Sequence, residues 1–290
     1  MEKRNSNKES KKLISVIIPT FNRAEILEGT IPSYLQEGVL EVIVVDDCST
    51  DNTQSTLKRI ANKYPEVRAF TLEKKGKQMG AKNFGIDHSR GELLFFGDDD
   101  SFLIRGSMKS LLRTYNDNPN TIIGTMHKYL NENESIGDAI HLFKSHAKNI
   151  NDVYSRKNMT LNLSKRWNEH VNLPFCTAHF LVSKQIVGKS RFDEEYKGTC
   201  YREETDFIVN LASKGHKVYI DFNSAVVNLP RSKDKGGTQH YSFLKKHLSE
   251  VLNEYRFFSK NREYLKKFTE LNTNPFVRSF EHLRKKIIRF

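Results

Sequence analysis

The chain has 290 residues, 37% of them hydrophobic and 11% aromatic, and a formal charge of +12. That describes a globular protein with a real core, and no apolar run approaches the length a membrane span needs. The basic excess invites nucleic acid, an anionic membrane surface or a phosphate-bearing substrate, yet the cations gather in the two tails while the acids gather in the middle.

The opening "MEKRNSNKESKK" (1–12) reads as a disordered basic tail without the apolar stretch of a signal peptide. "LISVIIPT" (13–20) is an apolar, β-branched run of the kind that forms a strand buried on both faces. A helix is predicted over 22–38, closed by Gly38 and with Pro32 as a break; a second buried strand, "LEVIVVDD" (40–47), follows. Ser49 and Asp51 offer N-caps for a helix over 52–64. A third strand at 66–73, a helix at 77–91 and a fourth strand, "ELLFFGDDD" (92–100), come next, then a helix at 104–119 and a strand at 121–130. Such alternation is the pattern of a parallel sheet covered by helices. Residues 130–190 are less regular and read as helices and loops across one end of the sheet. "FCTAHFLVSKQIV" (175–187) is a strand running into a helix, and 202–230 reads as a helix stopped at Gly215 and then strands. Seams are expected near 130 and 240, with a basic amphipathic extension over 241–290.

Ligands of an open parallel sheet bind beyond the carboxyl ends of its strands. Three strands here end in Pro19-Thr20, Asp46-Asp47 and Asp98-Asp99-Asp100. A lone acid at such a place caps a helix or forms a turn, but capping uses one acid, not three. Neighbouring carboxylates are tolerable around a hard cation, Mg²⁺ or Mn²⁺, which takes one or two of them together with substrate phosphates. "YREETDF" (201–207) is a second acidic knot. Glu203, Glu204 and Asp206 are favoured by the dipole of the helix they begin, and one of them at the lip of the same cleft could deprotonate an attacking hydroxyl. Neither G-x-G-x-x-G after the first strand nor G-x-x-x-x-G-K-[ST] occurs, which disfavours two common nucleotide folds. Cys48, Cys176 and Cys200 are an odd count without metal-ligand spacing; they point to a reducing cytosol and to small buried hydrophobes.

Taken in order, "VIIPTFNR", "VIVVDDCSTDNT", "KQMGAKNFGI…GELLFFGDDD" and "FDEEY…YREETDFIVNLASKGHKV" resemble the family 2 glycosyltransferases with the GT-A fold, from about Leu13 to Pro230. The resemblance implies an α/β fold of GT-A type: a mostly parallel nucleotide-binding sheet flanked by helices, with a C-terminal helical extension. Residues 13–130 would form the nucleotide-sugar half and 131–240 the acceptor half. It further implies inverting transfer from a nucleotide-diphosphate sugar, with a UDP-sugar expected. The acceptor would be a glycan, glycolipid or glycoprotein of the cell surface, lipid-linked acceptors included. Pro19, Thr20 and Asn22 would lie under the base and ribose, Asp47 would pair with the base, and Lys77, ahead of Asn83, would stand near the nucleotide. Asp98 would meet ribose or metal beside Asp99, and Asp100 would be the chief ligand of Mn²⁺ or Mg²⁺. Glu204 falls at the position of the catalytic base. The family more often has Asp there, so Glu203 and Asp206 stay in play. Asn228 stands where many relatives have a histidine; His240, or Arg231 and Lys235 in the loop around Gly236-Gly237, are the candidate replacements.

Other residues divide between plain and functional readings. His179 and Trp167 are expected in the core, with Trp167 as an acceptor-stacking platform the alternative. The C-terminal stretch either packs on the catalytic domain with a solvated basic face or docks on an anionic membrane. The expected location is the cytoplasm, with peripheral attachment to the inner membrane face left open. Two rivals remain. A sugar-phosphate nucleotidyltransferase would need a Gly-rich basic loop that "PTFNRAEI" lacks, and in a non-catalytic basic nucleic-acid or membrane binder the triple aspartate would repel phosphate. No nucleic-acid partner is expected.

Overall fold

The computed structural model describes residues 13–230, 232 and 242–287. The basic tail at 1–12 and the loop residues Arg231, Lys235, Gly236, Gly237 and His240 lie outside the described residues.

Strands β1 (Ile14–Thr20), β2 (Val39–Asp46), β3 (Val67–Thr71) and β4 (Leu93–Phe96) form the parallel half of the sheet, in the order β3-β2-β1-β4. All seven residues of β1 are buried, because helices cover both faces. The crossovers are α1 (Leu27–Thr30), α2 (Thr53–Lys63) and α3 (Lys77–His88). The helix expected over 22–38 is much shorter. After α1 the chain tightens into a 3₁₀ turn, Ile31–Tyr34, with Pro32 near its start, since proline has no N–H to continue an α-helical ladder.

Beyond β4 the sheet becomes mixed. Strand β5 (Ser101–Leu103) is a short element that the sequence reading did not contain. Helix α4 (Ser107–Asp117) leads into β6 (Thr121–Tyr129), and α5 (Ile136–Leu142) with a small hairpin, β7 (Tyr154–Ser155) and β8 (Thr160–Leu161), occupies the irregular middle. Strand β9 (Phe180–Ser183) runs antiparallel to both β4 and β6 and continues into α6 (Lys184–Val187). Helix α7 (Glu203–Ser213) precedes β10 (Lys217–Asn228), which lies parallel to β6 and antiparallel to β5. The full order is β3-β2-β1-β4-β9-β6-β10-β5. One apolar cluster joins Ile17 and Phe96 to Phe180, Phe207, Phe257 and Leu265, so both halves of the chain share a core.

Helices α8 (Phe243–Leu265) and α9 (Pro275–Ile287) make up the C-terminal extension. Helix α8 is tied to α7: Arg202 donates to the Glu254 carboxylate at 2.9 Å, and Asn261 Nδ2 donates to Asp206 at 2.6 Å. No helix among the described residues is long and apolar enough to cross a membrane.

Candidate active site

The parallel register puts Thr20 beside Asp46, so the polar ends of β1 and β2 share one edge with the loop that leaves β4. Pro19 and Thr20 are buried there, and Thr20 Oγ1 has no hydrogen-bond partner among the described residues. Asn22, at φ 55°, ties the first two loops together. Its amide N–H donates to Ser49 Oγ (2.8 Å), and its Oδ1 accepts from the Thr50 N–H (2.8 Å). Asp47 accepts from the Gly76 N–H at 2.6 Å, at the head of α3, and burial raises its carboxyl above the ordinary range. Lys77 turns its ammonium to the Tyr196 carbonyl (3.0 Å). Asn83 pins the backbone of Phe192 from both sides, at 2.8 and 3.0 Å.

The triple aspartate splits three ways. The buried Tyr34 hydroxyl donates to the Asp98 carbonyl at 2.9 Å and holds the start of the loop. The Asp98 carboxylate meets His179 Nε2 at 3.3 Å. Burial opposes its charge, but the His179 hydrogen bond and the Lys82 charge outweigh burial and hold the carboxyl well below its usual range. Asp99 is buried against Arg23, with Nε to Oδ1 at 3.5 Å. Asp100 is carried by β5 to the end of β10, where Ser101 pairs with Asn228. There Asn228 Nδ2 donates to Asp100 Oδ1 at 2.9 Å, while Asn228 Oδ1 faces His127 Nε2 at 2.7 Å. With Asn228 set this way, His127 carries its proton on Nε2.

Across from this loop, the N-terminus of α7 presents Glu203 and Glu204 to one lysine. Lys82 of α3 is 1% exposed, and its ammonium donates to Glu203 Oε1 (2.8 Å) and Glu204 Oε1 (2.6 Å). Burial alone would strip its proton; the two glutamates, with Asp98 behind them, keep it cationic. Glu203 is fully buried, accepts also from Gln78 Nε2 (2.7 Å), and is pushed well above its ordinary pKa by burial and by the charge of Glu204. Glu204 keeps 23% of its side chain exposed, the only one of the three acids with an open side. Asp206 is buried against Lys260 and Asn261 of α8 and serves the packing of that helix.

Lys82, His127 and the hydrogen bond of His179 to Asp98 went unnoticed in the sequence. A signal for Lys82 was present: Met79, Lys82, Asn83 and Ile86 fall on one buried face of α3, and a lysine in such a face needs a partner. His179 is in the core as expected, though bonded into the loop, and Trp167 packs partly buried against the core.

His127 makes the site sensitive to acid. Burial, with the His179 ring 5.3 Å away, lowers its pKa from 6.5 to about 4. The unfolded chain therefore binds a proton between those values that the folded chain refuses, so stability falls as pH drops from 6.5 toward 4. Denaturant midpoints should fall across that window, by an amount equivalent to on the order of 3 kcal/mol in full. The loss should be smaller in His127→Gln; equal pH slopes in the two proteins would refute the assignment.

Among the described residues no three His, Cys, Asp or Glu side chains are placed to hold a metal ion together. The oxygen donors at the edge fit a different arrangement, in which one or two carboxylates hold a hard cation and diphosphate oxygens complete it. The carboxylates at this edge are Asp100, held by Asn228, and Asp98, held by His179.

Residues 15–186 match the family model described as "Glycosyl transferase family 2". A relative from Campylobacter jejuni, GalNAc(5)-diNAcBac-PP-undecaprenol beta-1,3-glucosyltransferase, is 28% identical over 265 residues, covering 87% of this chain and 78% of that one. Among solved structures, Staphylococcus aureus TarS 1-349 in complex with UDP-GlcNAc superposes with a TM-score of 0.59 at 16% identity, covering 90% of this chain and 68% of that one. The mannosyltransferase PcManGT from Pyrobaculum calidifontis, in complex with GDP-Man and Mn²⁺, superposes at 0.60 and 16% identity, covering 87% and 65%. At such identities the superpositions establish the fold.

Proposed function

Because the chain belongs to glycosyltransferase family 2, we propose that this glycosyltransferase moves a sugar, with inversion, from a UDP-sugar to a hydroxyl of a cell-surface glycan. The observation that carries the reading is that Lys82, bonded to Glu204 at 2.6 Å, also acts by its charge on Asp98 of the aspartate loop. A lipid-linked acceptor is supported by the undecaprenol-linked substrate in the Campylobacter relative's name, and the UDP donor by the ligand of the TarS complex. The work would take place at the cytoplasmic face of the membrane. A nucleotidyltransferase and a non-catalytic binder both give way to the family assignment.

Inversion requires a base on the acceptor hydroxyl and charge stabilisation on the leaving diphosphate, on opposite sides of the sugar. Glu204 takes the hydroxyl proton on its exposed side as the oxygen bonds to the anomeric carbon and the diphosphate departs. Lys82 keeps that carboxylate oriented. Pro19, Thr20, Asn22 and Asp47 line the edge for the base and ribose, and the Thr20 hydroxyl, unpaired among the described residues, supplies a ready hydrogen bond. Lys77 and Asp99 hold the neighbouring segments through Tyr196 and Arg23. Asp100, with Asp98 beside it, would hold Mn²⁺ or Mg²⁺, whose charge supports the leaving diphosphate.

A panel of nucleotide sugars assayed with Mn²⁺, Mg²⁺ or chelator tests this. UDP release should need the cation, and Asp100→Ala should cost on the order of 10²-fold or more, the scale of losing one preorganised electrostatic stabiliser. Turnover that survives both chelator and Asp100→Ala would overturn the metal assignment.

A further inference from the structure

The C-terminal hairpin carries apolar surface that the fold does not use. Helix α8 docks on the domain with Phe257, Phe258 and Leu265, all fully buried. A second stripe, Leu248, Leu252 and Tyr255, recurs at i, i+4, i+7 and faces outward, with Leu248 59% exposed. Helix α9 repeats the pattern with Phe276, Phe280 and Leu283; its two phenylalanines are 71% and 68% exposed. The stripes meet, since the Tyr255 and Phe276 rings stand edge to face at 5.0 Å. Of the nine large apolar side chains exposed among the described residues, six lie here, so this is a patch and not scatter.

What borders the patch selects its occupant. Helical spacing puts Lys245 and Arg262 on the outward face of α8, and Arg284 stands beside the stripe of α9. These three and Lys285 are exposed. The bordering acids are neutralised at home: Glu263 by Lys266 at 2.8 Å, and Glu281 by Arg278. Aromatic and aliphatic residues rimmed by cations match an interface whose outer layer is anionic and whose interior is hydrocarbon. We propose that the outer face of the α8–α9 hairpin docks this enzyme on an anionic lipid bilayer, with Phe276 and Phe280 entering the headgroup–acyl boundary. The surface belongs to no part of the reaction, and the proposal holds whatever the donor and acceptor.

The test is flotation of the full chain with vesicles of phosphatidylcholine alone or with about a third phosphatidylglycerol, a content chosen to give a strongly negative surface. Binding should favour the anionic vesicles and weaken with added salt. Phe276→Ser/Phe280→Ser should lower partitioning roughly tenfold or more, as expected for withdrawing two phenyl rings from hydrocarbon, while leaving the melting temperature unchanged. Should that variant melt early, Leu248→Ser/Leu252→Ser on the other helix reads the same surface. Equal binding by the variants, or no binding to either vesicle, overturns the proposal. So does a concentration-dependent dimer lost in the same variants, which would give the face to a second copy.

Discussion

Glu204→Gln should lower the rate of transfer by about 10²–10⁴-fold, the share a positioned general base contributes, and should leave donor binding nearly intact. Glutamine keeps the size of the side chain and can still accept from Lys82 through its amide oxygen, so the change removes proton uptake and little else. The expected signature is a fall in kcat with an unchanged KM for the nucleotide sugar. Glu203→Gln and Asp206→Asn serve as contrasts. Neither side chain has an open side, so both should act through stability, Glu203 at the Lys82 cluster and Asp206 at the α8 contact. Donor binding lost together with turnover in Glu204→Gln would move that residue from base to scaffold.

Lys82→Met destabilises the fold by about 3–5 kcal/mol, the usual cost of removing one partner of a buried ion pair. Methionine fills similar volume, so packing is not the cause. The cost arises from Glu203, fully buried and deprived of the ammonium that meets it at 2.8 Å. Protonation relieves part of it. Burial already favours the acid form of Glu203, so the deficit should shrink as pH falls. A double-mutant cycle separates this from a general packing defect. Adding Glu203→Gln to Lys82→Met should recover part of the loss, giving a coupling of about 1–3 kcal/mol in denaturant titrations. Additive losses would show that the two groups do not share the cluster. Turnover of Lys82→Met should fall beyond what stability explains, because Glu204 loses its anchor.

The order of buried strands was readable because a strand covered on both faces is almost wholly apolar: β4 is apolar throughout, and before their polar ends β1 and β2 depart from this only at Ser15 and Glu41, which bond each other. Their polar ends marked the ligand edge for the same reason: the apolar run stops where the sheet stops. What failed locally had local causes. Pro32 cut the helix after β1 to one turn, and β5 is three residues long, too short for any periodicity to reveal. The antiparallel insertion of β9 between β4 and β6 also left no mark, since strand direction depends on the connections and not on the strand's own residues.

The sequence by itself determined that a carboxylate-rich edge exists, that three acids start the helix after it, and that the C-terminal helices are amphipathic and basic. Only the tertiary structure decided what each acid does. Residues 203, 204 and 206 point in different directions around α7, and a helix cannot announce its own rotation; packing on α3 and α8 sets it. That packing sends Glu203 into the core and Asp206 to Lys260, and leaves Glu204 partly exposed beside Lys82. The same holds for Asp100, whose partner Asn228 is 128 residues away and is brought up only by the pairing of β5 with β10. Burial of charge forces such partnerships, and the fold alone chooses the partners.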